Sequence, residues 1–145
     1  MEAHGILTEM LPTEEQEQNA VAKWLRRNRV LFTHPPNGLQ RSKAAGARLK
    51  RLGVCPGVPD LLIFSPSPAE PSARGVAIEM KRRRRGMVSL NQERFHRALR
   101  DAGWSVFVCE GAASAIRQLV KLGYGDVQGK QDAPPDSELT HVETT

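Results

Sequence analysis

Two short apolar segments, each interrupted by charge, most constrain how this 145-residue chain can fold. They are residues 57–64 (GVPDLLIF) and residues 76–81 (VAIEMK), and both have the length and composition of buried strands. Because alternate side chains of a strand share a face, Glu79 and Lys81 point to the same side. Asp60 follows a proline at the start of the first strand. Pairing of the two strands would therefore bring two carboxylates and an ammonium group to one rim of a sheet.

Such a cluster needs a physical reason, because charge beside an apolar sheet is costly unless it is paired or bound to a metal. One interpretation is a divalent cation site, since Asp60, Glu79 and the backbone carbonyl of Met80 offer the oxygen ligands that Mg2+ prefers. The other is a simple ion pair of Lys81 with Glu79 or Asp60 on a solvated strand face. The spacing alone leaves both interpretations open.

Charge is distributed unevenly along the chain, which carries a formal net charge of +5. Residues 1–125 hold 20 Lys and Arg against 11 Asp and Glu, whereas residues 126–145 hold one Lys against five acids. A basic body favours a polyanionic partner. We expect a flexible N-terminal arm over residues 1–12, one domain over residues 13–125 and an acidic disordered tail over residues 126–145.

Two basic segments flank the proposed acidic cluster. One covers residues 41–51, and the other is the run of five basic residues at 81–85. Consecutive like charges repel one another, and a polyanion relieves that repulsion. The first segment can also be an ordinary solvated surface. The candidate polyanion-binding residues in them are Arg41, Lys43, Arg48, Lys50, Arg51, Arg82, Arg83, Arg84 and Arg85.

The two cysteines and the N-terminus bear on the cellular compartment. Cys55 and Cys109 lie in no zinc-ligand spacing, so free thiols in a reducing cytosol are expected. The start of the chain lacks the basic and apolar parts of a secretion signal, and no apolar run is long enough to span a membrane. We therefore expect a cytoplasmic protein.

Helices are predicted where apolar residues recur at helical spacing. The first begins after the N-cap Thr13 and carries Glu17 on its core-facing stripe. Another runs from the N-cap Ser89 to about Ala102, with Gln92 one turn before the stripe of Phe95, Leu99 and Ala102. A last helix follows Gly111, with its core face at Ile116, Leu119 and Val120.

Further strands are predicted at residues 30–34 and 104–109, and a weak basic helix or flap at 41–51. The full order is helix, strand, loop, strand, strand, helix, strand, helix. This order is typical of an α/β fold in which helices flank a small mixed sheet.

Several pieces of the chain, in this order, resemble the VRR-NUC domain, a branch of the PD-(D/E)xK nuclease superfamily, in the small stand-alone form typical of phages and bacteria. A leucine stands at position 39, where the family often has a second glycine. The pieces that carry the resemblance are Glu17-Gln18, Pro36-Asn37-Gly38, residues 46–54 (GARLKRLGV), Gly57-Val58-Pro59-Asp60-Leu61, Ile78-Glu79-Met80-Lys81, Ser89-Leu90-Asn91-Gln92 and Ala102-Gly103-Trp104.

The resemblance implies a restriction-endonuclease-like core and phosphodiester hydrolysis that depends on Mg2+ or Mn2+. Asp60 and Glu79 would bind the metal, Lys81 would be the catalytic lysine, and Gln92 would be the family's active-site glutamine. Glu17 would be a further metal ligand from the first helix, although Glu14 and Glu15 leave that register open. The polyanion would be DNA, so that Asn37 and the basic residues of the two segments become candidate DNA-binding residues.

The resemblance also implies a partner and a setting. Stand-alone members resemble Holliday junction resolvases, so a homodimer that acts on branched DNA is expected, in a bacterium or a phage-infected host cell. Two alternatives stay open from the residues alone. One is a non-catalytic nucleic-acid-binding module, and the other is a phage DNA-processing or restriction-type nuclease of the same superfamily.

Overall fold

The structure, a computed structural model, describes residues 11–36, 42–83 and 86–125. The predicted acidic tail and most of the predicted N-terminal arm lie outside these residues. The elements, in chain order, are α1 (Glu14–Arg27), β1 (Phe32–Thr33), α2 (Lys43–Arg51), β2 (Leu61–Ile63), β3 (Val76–Lys81), α3 (Leu90–Asp101), β4 (Ser105–Glu110) and α4 (Gly111–Lys121).

The four strands form one mixed sheet in the order β1-β2-β3-β4. The β1–β2 and β2–β3 pairs are antiparallel, and the β3–β4 pair is parallel. A parallel pair needs a crossover connection, and α3 provides it. Leu61 lies opposite Ile78, so Asp60 enters the sheet one position beyond that pair. The predicted α/β class with a small mixed sheet is confirmed.

Two strands are shorter than the sequence predicts. The strand expected at residues 30–34 pairs only at Phe32 and Thr33, because the N–H of Val30 is bonded to the carbonyl of Leu25 at the end of α1. The strand expected at residues 57–64 begins only at Leu61. Gly57 has φ +84°, a left-handed conformation that does not continue a strand.

The hydrophobic core lies on one face of the sheet, under α1 and α4. Alternation along β3 sends Ile78 and Met80 to this face, where Val21 and Leu25 of α1 and Leu119 of α4 also belong to the core cluster. Glu79 and Lys81 point to the other face, towards α3. One strand therefore separates a hydrophobic side from a polar side.

Both predicted N-caps are confirmed as capping boxes, at Thr13 with Gln16 and at Ser89 with Gln92. The predicted core faces are partly wrong. Ala102 is exposed and caps α3, whose buried residue is His96. On α4, Val120 is 56% exposed, because Ala115 and Leu119 point into the core instead.

Candidate active site

Asp60 and Glu79 meet where β2 and β3 pair. The Oδ2 atom of Asp60 accepts a 2.7 Å hydrogen bond from the backbone N–H of Met80, which follows Glu79 directly. On the other side, Nδ1 of His34 lies 2.6 Å from the Asp60 backbone carbonyl oxygen. Glu79 itself is only 2% exposed. The side chain of Asp60 is thus held from β3 and its backbone from the end of β1, whereas Glu79 is buried.

Gln92 joins the catalytic candidates of β3 to α3. Its Oε1 atom accepts hydrogen bonds of 2.9 Å from Nζ of Lys81 and from the backbone N–H of Ser89. Its Nε2 atom donates a 2.9 Å hydrogen bond to Oε1 of Glu79. Gln92 therefore caps the helix and contacts the acidic cluster at the same time. The structure brings Asp60, Glu79, Lys81 and Gln92 together.

Lys81 and Glu79 also form the ion pair that the sequence left open, with Nζ 3.7 Å from Oε1. The side chains are only 11% and 2% exposed. The interpretation as a pair on a solvated strand face is therefore wrong, because this face is covered by α3. Buried charges need fuller compensation than surface pairs.

His96 is the site residue that the sequence did not reveal. It is buried on α3, and its Nε2 atom lies 3.3 Å from Oε2 of Glu79. The signal was its position four residues after Gln92, which puts both side chains on the same helical face. The predicted stripe follows the apolar residues Phe95 and Leu99, and the polar His96 is therefore not part of it.

Burial strongly affects the ionisation of Glu79. Desolvation, together with the hydrogen bond to Asp60 and its charge, raises the pKa of Glu79 to about 8, and nearby Lys81 opposes that rise. Burial also lowers the pKa of His96, with the positive charges of Arg100 and Lys81 acting in the same direction. Burial thus favours the form of Glu79 that holds a proton, whereas the ion pair with Lys81 favours the charged form.

Two adjacent carboxylates in a desolvated site fit one divalent cation, because its charge would replace the proton and neutralise both acids. A larger ligand set is not in place. In residues 11–36, 42–83 and 86–125, no group of three His, Cys, Asp or Glu side chains is close enough to hold a metal. Asp60 and Glu79 are the two acidic side chains that the fold brings together here.

Glu17 is buried, as its place on the core-facing stripe predicts, but its contacts are with α4 and Arg83 and not with the acidic cluster. Its Oε2 atom accepts a hydrogen bond from the backbone N–H of Ala112 in the first turn of α4, and Oε1 lies 3.6 Å from Nε of Arg83. Glu14 accepts a 3.1 Å hydrogen bond from the backbone N–H of Arg82. The first turn of α1 therefore fixes the chain just after Lys81. The structure does not bring Glu17 into contact with Asp60 or Glu79.

The candidate DNA-binding residues that the structure describes are exposed on two segments. α2 buries none of its side chains. The exposed cations are Lys43, Arg48, Lys50, Arg51, Arg82 and Arg83. Asn37, Arg41, Arg84 and Arg85 lie outside the described residues.

Within residues 11–36, 42–83 and 86–125, no helix is both long enough and apolar enough to cross a membrane.

Comparison with known proteins gives a consistent picture. Residues 12–113 match the family described as the VRR-NUC domain, which is more than half of the chain. A solved structure described as a VRR_NUC domain protein is similar to this one, with 26% sequence identity and a TM-score of 0.60 over 78% of this chain and 92% of that chain. No curated protein matches the chain. The chain belongs to the VRR-NUC domain family, a nuclease-type family.

Proposed function

We propose that this chain is an endonuclease that depends on Mg2+ or Mn2+ and hydrolyses phosphodiester bonds in branched DNA such as Holliday junctions. The observation that supports catalysis is the buried network of Glu79, Gln92 and Lys81 beside Asp60. A binding module has no need for a desolvated carboxylate whose pKa is raised to about 8.

The chemistry follows from the needs of the substrate. When bound, a divalent cation would lower the pKa of its water and neutralise charge on the phosphate. Asp60, Glu79 and the Met80 carbonyl would hold it. Lys81, kept in place by Gln92, would orient the attacking water or stabilise the negative charge that develops on the phosphate.

The surface cations have a separate role in the proposal. Exposed side chains on α2, together with Arg82 and Arg83, would neutralise backbone phosphates. Such contacts supply affinity and position but do not read sequence. Selection by DNA shape is therefore the expected mode, and the preference for junctions and the homodimer rest on the family resemblance.

Replacing the catalytic lysine tests the proposal most directly. Lys81→Ala should lower the cleavage rate about 100-fold or more, because a charge that acts on the reacting phosphate is lost. DNA binding should change only a few-fold. The control is Lys121→Ala, which removes one exposed positive charge from the end of α4 and should cut as the wild type does.

Cleavage should be followed on labelled four-way, flapped, nicked and linear DNA with Mg2+ or Mn2+. Full activity of Lys81→Ala would reject the catalytic assignment, and binding without any product by the wild type would favour a non-catalytic module. Cutting at one fixed sequence would favour a restriction-type enzyme. A monomeric mass in light scattering, with and without junction DNA, would remove the homodimer.

A further inference from the structure

His96 is a buried polar side chain that the proposed chemistry does not use. It is 3% exposed, on α3, and its Nε2 atom is 3.3 Å from Oε2 of Glu79. A buried imidazole usually has a polar partner, because buried polar groups are almost always hydrogen-bonded. Here that partner is the carboxylate with the central position in the site.

The two oxygens of Glu79 are contacted by two different side chains of the same helix. Gln92 donates to Oε1 at 2.9 Å, and His96 lies against Oε2. These residues are four apart on α3, so both reach β3 from the same face. One polar contact on each oxygen fixes the plane of the carboxylate as well as its position.

The position of Gln92 is itself fixed. Its Oε1 accepts from the backbone of Ser89 in the capping box, and that cap begins α3. His96 lies one turn further along a helix that is thus anchored at its start. Glu79, by contrast, has three side-chain torsions, and the loss of either contact would leave its carboxylate less firmly oriented.

We propose that His96 is a positioning residue, which donates its Nε2–H to Oε2 of Glu79 and so holds this carboxylate in the orientation that binds a divalent cation. The inference rests on the proposed function, because it concerns the same site. Side chains that orient a metal ligand typically contribute about 10- to 100-fold to metal affinity. His96 would act through Glu79 and would not touch the substrate.

Three variants separate positioning from simple packing. His96→Leu fills the space without a donor, His96→Gln keeps an amide N–H near the position of Nε2, and His96→Asn carries a shorter amide that does not reach Glu79. Calorimetric titration of each protein with Mn2+, without DNA, gives the Kd. We expect Kd to weaken about tenfold in His96→Leu and His96→Asn, and to stay within about threefold of wild type in His96→Gln.

The tautomer provides a readout that packing alone would not move. Long-range nitrogen–proton NMR spectra of the wild type with Mg2+ should show His96 protonated at Nε2. A ring protonated only at Nδ1 under these conditions would overturn the proposal. So would a folded His96→Leu protein whose Kd for Mn2+ equals that of the wild type.

If His96→Leu does not fold, the pair His96→Gln and His96→Asn decides, and equal Kd values for that pair overturn the proposal. Failure of the proposed function looks different. In that case the wild type itself neither binds Mn2+ nor cuts DNA, whatever residue stands at position 96, and the positioning role falls with it. If the wild type binds Mn2+ and cuts DNA, and His96→Leu binds Mn2+ with the same Kd, then the proposed nuclease function holds and the positioning role of His96 is rejected.

Discussion

At the scale of single residues, Glu79 makes the folded protein sensitive to pH. The folded state holds its proton up to a pKa of about 8, whereas the ordinary value is 4.5. The contribution to stability is therefore fully present below the ordinary value and is lost as the pH rises towards 8. Without metal, the free energy of unfolding should fall by up to about 1.4 kcal/mol per pH unit in that range.

Glu79→Gln should remove this loss, since an amide cannot ionise. Urea denaturation in EDTA at pH 5 and pH 8 is the measurement, and the variant should gain stability relative to the wild type as the pH rises. Glu93→Gln is the matched control, because Glu93 lies exposed in the first turn of α3. Parallel pH dependences of the wild type and Glu79→Gln would contradict the raised pKa.

At the scale of elements, Gly57 is where the chain before β2 touches the start of α3. A Cβ atom at this position would lie 2.3 Å from the backbone oxygen of Asn91, and φ is +84°. Gly57→Ala should therefore lower the free energy of unfolding by at least about 1 kcal/mol, because it adds backbone strain to a clash with backbone atoms. Cleavage should also fall, because the contact sets the distance between Asp60 and Gln92.

Gly46 offers the matched control for this change. It lies within α2, and a Cβ atom there would meet nothing within 4 Å. Gly46→Ala should raise stability by up to about 1 kcal/mol, in line with the helix propensities of the two residues. Thermal and urea denaturation of both variants check the pair, and equal effects of the two substitutions would refute the contact at Gly57.

The same elements show how far sequence reasoning reaches. The sequence predicts β3 to its last residue, because the short apolar run and the alternation of charged residues within it agree. It also predicts both N-caps, since Thr13 and Ser89 each precede a segment with helical periodicity. The lengths of β1 and β2 were not, since they depend on pairing partners and on the left-handed Gly57. His96 and the separate position of Glu17 also depend on packing between distant segments, which periodicity along one helix does not contain.

At the scale of the whole molecule, excess positive charge is the main long-range feature. Residues 1–125 carry 20 basic side chains against 11 acidic ones. DNA affinity should therefore fall steeply with salt, with a slope of about 0.9 in the logarithm of the binding constant for each phosphate neutralised. Arg48→Gln with Arg51→Gln should reduce that slope by up to about 2 if α2 lies along the backbone.

The control is Arg117→Gln with Lys121→Gln, which removes two exposed charges from α4. Both double variants lose the same net charge, so a general electrostatic effect would change the two slopes equally. Fluorescence anisotropy between low and physiological salt measures them. Equal slopes for the two double variants would remove α2 from the DNA interface.

The alternation along β3 determines which kinds of mutation this strand can accept. The six residues of β3 face two environments. Ile78 and Met80 belong to the hydrophobic core, whereas Glu79 and Lys81 contact polar groups. Substitution on one side leaves the other side intact. Inserting or deleting a single residue within the strand would exchange the residues of the two faces and place a carboxylate in the hydrophobic core. A change in the length of this strand should therefore disturb both faces, whereas a single substitution disturbs only one of them.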